Sequence, residues 1–168
     1  MEAAELKGIQ APIKARYRED PEAAVITLTA EGVIGEGVSC SVNTGRALVE
    51  AGLHPATGGS GMQACSGDML LEALVACAGV TLNAVATALE LKVRDATVRA
   101  EGDLDFKGTL GVDKGAPVGF RDIRLSFDID GDLTEDKLAT LMKLTERYCV
   151  VYQTLTSTPP ISVTANIG

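Results

Sequence analysis

Apolar and polar positions follow two different periods along this chain, and the switches between them divide it into strands and helices. Residues 11–19 (Ala-Pro-Ile-Lys-Ala-Arg-Tyr-Arg-Glu) alternate roughly and predict a first strand. Residues 24–30 are rich in β-branched side chains and predict a second, joined to the first by the turn chemistry of Asp20-Pro21-Glu22. A third is expected over residues 35–44, with Cys40 inside it. The glycine-rich stretch through residues 45–61 has no clear period and reads as a long loop, a kind of segment more often functional than idle.

The period then changes to that of a helix, expected over residues 68–91, with Ser66 as its N-cap and Asp68 suited to the positive end of the dipole. Leu70, Leu74, Cys77, Thr81, Ala84, Ala88 and Leu91 share one face at helical spacing, and the other faces are nearly as apolar. A helix that is apolar all round has to be covered on every side, and a second subunit is a natural source of cover. The uncharged run from Ala73 to Leu89 is 17 residues long and Ala-rich, with Glu72 and Glu90 at its ends. Roughly 20 strongly apolar residues are needed to span a bilayer, so a buried core helix is the expectation.

Two more strands are expected over residues 93–103 and 120–130, joined through Lys107-Gly108 and Lys114-Gly115. Residues 134–146 have an acidic first turn and apolar Leu138, Leu141, Met142 and Leu144 at the 3.6 period, which predicts a helix. A shorter helix over 147–155 ends before Pro159-Pro160, and residues 161–167 alternate as a last strand. No repeat or composition shift divides the chain, so residues 1–168 are expected to form one α+β domain in the order β-β-β-α-β-β-α-α-β.

Composition narrows the function classes. The net charge of −8, with basic residues scattered among acidic neighbours, argues against a nucleic-acid partner. Aromatic residues make up 4% and Trp is absent, so Val, Leu, Ile and Ala must build the core. The first residues carry neither a basic region nor an apolar signal core, and four dispersed cysteines do not make a secreted disulfide scaffold. A cytoplasmic protein with reduced thiols, away from membranes, is the resulting expectation.

Candidate chemistry centres on the cysteines. Cys77 lies within the central helix and Cys149 at a later helix start, where together they could form a two-cysteine redox centre; inert core packing is the other reading. Cys65 lies just before the central helix, where the dipole could lower its pKa, and Cys40 in a strand reads as structural. A zinc site from these four lacks paired C-x-x-C spacing, and Gly58-Gly59-Ser60-Gly61 lacks the Lys-Ser/Thr of a phosphate loop. His54, the only histidine, reads as a loop residue. Glu72 would be costly if buried unpaired and is a candidate for an interface ion pair with an arginine, a role open to Arg147.

Two stretches carry a resemblance. Gly67-Asp68-Met69-Leu70-Leu71-Glu72-Ala73-Leu74-Val75-Ala76-Cys77, and Glu146-Arg147-Tyr148-Cys149-Val150-Val151-Tyr152-Gln153-Thr154-Leu155 before a terminal strand, resemble the OsmC/Ohr family of peroxide-reducing proteins. The resemblance implies an OsmC-like β3-α-β2-α2-β arrangement and an intertwined homodimer with paired central helices and active sites at the subunit interface. It also implies that Cys77 is the peroxide-attacking thiol and Cys149 the resolving one, with a lipoyl, thioredoxin-like or small-thiol reductant. Asp68 stands where family members most competent with organic hydroperoxides carry a glutamate. Arg46, Arg16 and Arg18 are the candidates for the family's activating arginine. The stretch with His54 and Cys65 has no counterpart in the resemblance.

Peroxide reduction needs a thiolate, and a free cysteine with pKa near 8.5 is only a few per cent ionised at about neutral pH. A guanidinium could favour the thiolate and hydrogen-bond the peroxide oxygens. Attack yields a sulfenic acid that condenses with a second thiol, and these steps need no metal or organic cofactor. Two rival readings remain at this level: a non-enzymatic binding protein on the same fold, and a thiol-disulfide redox sensor.

Overall fold

In the structure, a computed structural model, residues 2–20, 27, 31–34, 39–43 and 48–167 are described. The chain opens with a helix, α1 (Ala3–Glu19), and not with the strand expected over 11–19. Ala, Glu, Leu, Lys, Gln and Arg dominate its 17 residues, and summed helix propensity outweighs a short alternation that contains Pro12. Ile9 and Ile13 stand four apart, a helical spacing that the strand reading overlooked. The second expected strand, over 24–30, lies outside the described residues except for residue 27, which is not in a strand.

A four-stranded sheet follows, of β1 (Glu31–Ile34), β2 (Ser39–Asn43), β3 (Leu48–Gly52) and β4 (Ala64–Cys65), in that spatial order. The first two pairings are antiparallel, and β3 runs parallel to β4. β2 occupies part of the expected third strand. β3 corrects the reading of residues 45–61 as loop throughout: a five-residue run between glycines is too short for its period to declare itself. Between β3 and β4 a 3-10 turn, Pro55–Thr57, is capped by His54, whose Nδ1 accepts the Ala56 N–H at 3.1 Å. A side chain at Gly59 would strike the Leu53 carbonyl, so this loop closes only over a glycine.

The long helix α2 (Ser66–Ala88) begins two residues earlier than expected, with Cys65 and not Ser66 at the N-cap. Leu74, Ala78, Leu82, Val85 and Ala86 form its buried seam. The expected face ran 70-74-77-81-84-88, a 3.5-residue repeat, and such a stripe drifts about 20° per heptad around a straight helix. Ala84 and Ala88 are therefore exposed and Cys77 flanks the seam. α2 is long and apolar enough to cross a membrane by length and composition; one seam packs against protein, but only 28% of its apolar span is buried within this chain, less than the buried core helix expected.

Two 12-residue strands, β5 (Val93–Leu104) and β6 (Phe120–Gly131), form an antiparallel pair in which Val98 faces Phe127 and Ala100 faces Leu125. Strict alternation gives it two unlike faces. Ala96, Val98, Ala100, Ile123, Leu125, Phe127 and Ile129 pack on the α2 seam and its neighbours. The outer face carries exposed ion pairs: Arg94 to Asp130 and Asp132, Arg99 to Asp128, and Arg124 to Asp103 and Asp122. The connection holds a single helical turn, α3 (Phe106–Thr109), capped by Asp105.

α4 (Glu135–Tyr148) has Thr134 at its N-cap and buries Leu141 and Thr145 against α2. α5 (Val150–Thr156) follows after one residue, Cys149, so the short helix starts three residues later than expected. Residues 161–167 form no strand. Ile161 and Val163 are 81% and 91% exposed. Their alternation suits a sheet, but a strand exists only where an edge pairs with it.

Candidate functional site

The break between α4 and α5 creates the site. Cys149 has extended geometry, φ −73° and ψ 107°, so the chain leaves α4 and restarts as α5 at a new angle. Its N–H still donates to Thr145 O at 2.9 Å and its carbonyl accepts from Gln153 N–H at 2.9 Å. This elbow lies over the middle of α2. Cys149, 1% exposed, packs with Leu74 and Ala78, and Cys77 lies against the same cluster together with Val151 and Tyr152.

The two thiols are free and belong to one packed cluster with Leu74 and Ala78. Burial pushes the Cys77 thiol up, but hydrogen bonds outweigh it: the Val151 N–H, the Cys149 thiol, the Val150 N–H and the Thr81 hydroxyl together hold its pKa below the ordinary thiol value. Thr81 lies one turn after Cys77 on α2. Cys149 shifts the opposite way. Burial raises it most, and its proximity to Cys77 raises it further against the lowering effect of N–H groups at Tyr152 and Val151. The two thiols are thus shifted in opposite directions, Cys77 downward and Cys149 upward.

An open cleft of about 560 Å3 lies between β6 and the α4–α5 elbow; neither cysteine lines it, and side chains such as Leu74 and Tyr152 stand between. Leu74, Ile123, Leu125, Phe127 and Tyr152 line it and also pack around the cysteines. Arg121, Asp122 and Glu146 add polar groups to its lining.

Of the residues singled out from sequence, the structure brings together Cys77 and Cys149. Asp68 is exposed in the first turn of α2, about 13 Å along the axis from Cys77, and does not reach it within one chain. Arg46 lies outside the described residues. Arg16 and Arg18 belong to α1 and not to a strand as expected. Arg147 is exposed in the last turn of α4, its guanidinium 5.8 Å from the Tyr148 ring centroid. Glu72 is exposed. Cys65 is half-buried about 18 Å along α2 from Cys77, beside a separate cavity of about 370 Å3. His54 stacks on Phe106 with centroids 4.9 Å apart, as a loop residue. The backbone of Cys40 is in β2.

Sequence reasoning missed three contributors: the Val150 and Val151 N–H groups and the Thr81 hydroxyl. Thr81 left a signal, the only hydroxyl on the Cys77 stripe. The N–H groups left none, because any residue type carries them.

The sequence profile described as OsmC-like protein matches residues 59–164, more than half of the chain. Similar solved structures include an OsmC like protein from Mycoplasma pneumoniae, 19% identical, with TM-score 0.65, covering 79% of this chain and 89% of that one. An organic hydroperoxide resistance protein from Elizabethkingia anophelis is 19% identical, with TM-score 0.63 and coverage of 80% and 91%. One from Legionella pneumophila, described as organic hydroperoxide resistance protein OsmC, is 18% identical, with TM-score 0.62 and coverage of 80% and 92%. No curated protein matches the chain.

Proposed function

The chain belongs to the OsmC-like family, and from that premise we propose that it is a thiol-dependent peroxidase working through Cys77 and Cys149. The observation that carries this reading is that Cys77 and Cys149, far apart in sequence, pack into one cluster, with their thiols shifted in opposite directions. Two thiols gathered in one cluster can form an S–S bond with each other, which isolated core cysteines cannot.

The Cys77 thiolate attacks one peroxide oxygen, the O–O bond breaks, and the departing alkoxide takes a proton to leave as alcohol. Cys77 becomes a sulfenic acid. The Cys149 sulfur then attacks it, forming the S–S bond; its own proton and the sulfenic hydroxyl leave as water. An external dithiol of lipoyl, thioredoxin-like or small-thiol type returns both cysteines to thiols by exchange. Organic hydroperoxides fit the site better than hydrogen peroxide, because the nearby cleft is lined by Leu74, Ile123, Leu125 and Phe127 and suits an alkyl or aryl group. A name that two similar proteins carry, organic hydroperoxide resistance protein, agrees with that choice.

The working form is a cytoplasmic homodimer of single 1–168 domains. Val80, 73% exposed in the middle of an apolar helix, and the unpaired alternating tail at 161–167 both ask for a second copy. In that dimer Asp68 and Arg46 are the residues proposed to complete the site. The test is loss of cumene hydroperoxide and hydrogen peroxide with a dithiol present, for wild type and Cys77→Ser. Rapid loss only in wild type is expected; equal slow loss in both would leave the fold a binding protein.

A further inference from the structure

The elbow at Cys149 leaves a hydrogen-bonding debt that one side chain settles. In an unbroken helix the Val150 N–H would donate to the Glu146 carbonyl and the Val151 N–H to that of Arg147. The extended geometry at Cys149 takes both N–H groups out of the α4 ladder and turns them to the sulfur of Cys77. The last carbonyls of α4 are then without their helical partners. The Glu146 carbonyl accepts instead from Gln153, whose side-chain Nε2 lies 2.8 Å away. The backbone N–H of Gln153 donates to the Cys149 carbonyl at 2.9 Å. One residue therefore grips the chain at Glu146, before the break, and at Cys149, the break itself.

We infer that Gln153 is a positioning residue: by clasping the Glu146 carbonyl it fixes the angle between α4 and α5, and so holds Cys149 and the Val150 and Val151 N–H groups against Cys77. Gln153 touches neither sulfur and acts through the backbone. Were its amide withdrawn, the Glu146 carbonyl would compete for the Val150 N–H, drawing the start of α5 back toward a continuous helix and away from the thiolate. The inference rests on the proposed role of the cysteine pair, but its readout does not depend on turnover.

The test is peptide-resolved alkylation of native protein by iodoacetamide across pH, for wild type, Gln153→Met and Gln153→Lys. Met keeps the length and loses the donor; Lys restores a donor suited to a helix carboxyl end. Because one solvent-exposed hydrogen bond is at stake, Gln153→Met is expected to alkylate at Cys77 about threefold more slowly at neutral pH and to match wild type at high pH. Gln153→Lys is expected to stay close to wild type throughout. An unchanged pH profile in Gln153→Met, or an equal loss in Gln153→Lys, would overturn the inference. Wild type that alkylates readily but consumes no peroxide would remove the peroxidase reading and leave the role of Gln153 standing.

Discussion

Cys77 packs against the cluster that buries Cys149, and the two thiols are pushed in opposite directions by one shared environment. Burial disfavours charge on both. At Cys77 it is overcome by donors from three places: the restart of α5, the opposing thiol, and Thr81 one turn along α2. At Cys149 burial is reinforced by the partner sulfur. In the proposed peroxidase reaction that asymmetry makes Cys77 the attacking sulfur, since the thiolate is the nucleophile.

Ionisation of Cys77 sets the pH dependence. Its folded pKa lies below the ordinary thiol value, so the reactive fraction falls only as pH drops through that lowered pKa, and it is already elevated at pH 7. The single-turnover rate with peroxide should rise with pH to a plateau reached earlier than for a free thiol. Absorbance of the thiolate, followed in wild type and Cys77→Ser, checks the midpoint; a midpoint at or above that of free cysteine contradicts the assignment.

Thr81→Val removes one donor while keeping nearly the same shape. Loss of one hydrogen bond to a charged sulfur should slow the attack on peroxide about 10-fold at neutral pH. Thr81→Ser should recover most of it. Stopped-flow single turnovers make the comparison, and an identical rate in Thr81→Val would show that the hydroxyl is idle.

The cleft near the pair should govern substrate preference. Ile123→Gln puts a polar group in its apolar wall. The rate with cumene hydroperoxide should fall several-fold more than the rate with hydrogen peroxide. Equal losses with both would move the organic group elsewhere.

The proposed dimer places its interface on the exposed face of α2 around Val80. Val80→Glu should convert a dimer to a monomer in sedimentation equilibrium, since a charge there would have to be buried. Leu141→Ala, fully buried against α2, should instead cost about 2–5 kcal/mol of stability in either state. A Val80→Glu protein of unchanged mass in solution would place the interface on another surface.

Much of this architecture was legible in the residue pattern. The central helix, the β5–β6 pair and α4 declared themselves because their periods run over a dozen residues or more. The pairing of Cys77 with Cys149 came through family resemblance, since no local spacing links a residue of α2 to the break between α4 and α5. What stayed hidden has physical reasons. Seventeen residues of α1 hold an alternation too short to outweigh propensity, and β3 is masked by its flanking glycines. The tail at 161–167 has the pattern of a strand, but strand formation depends on an edge that pattern cannot supply. The donors at Val150 and Val151 arise from one backbone angle at Cys149.

The most direct measurement is disulfide mapping by mass spectrometry after reduced protein receives one equivalent of cumene hydroperoxide. A Cys77–Cys149 bridge as the main product, replaced by a trappable sulfenic acid on Cys77 in Cys149→Ser, is the expected result. A protein whose Cys77 stays reduced, or is joined chiefly to Cys65, would contradict it.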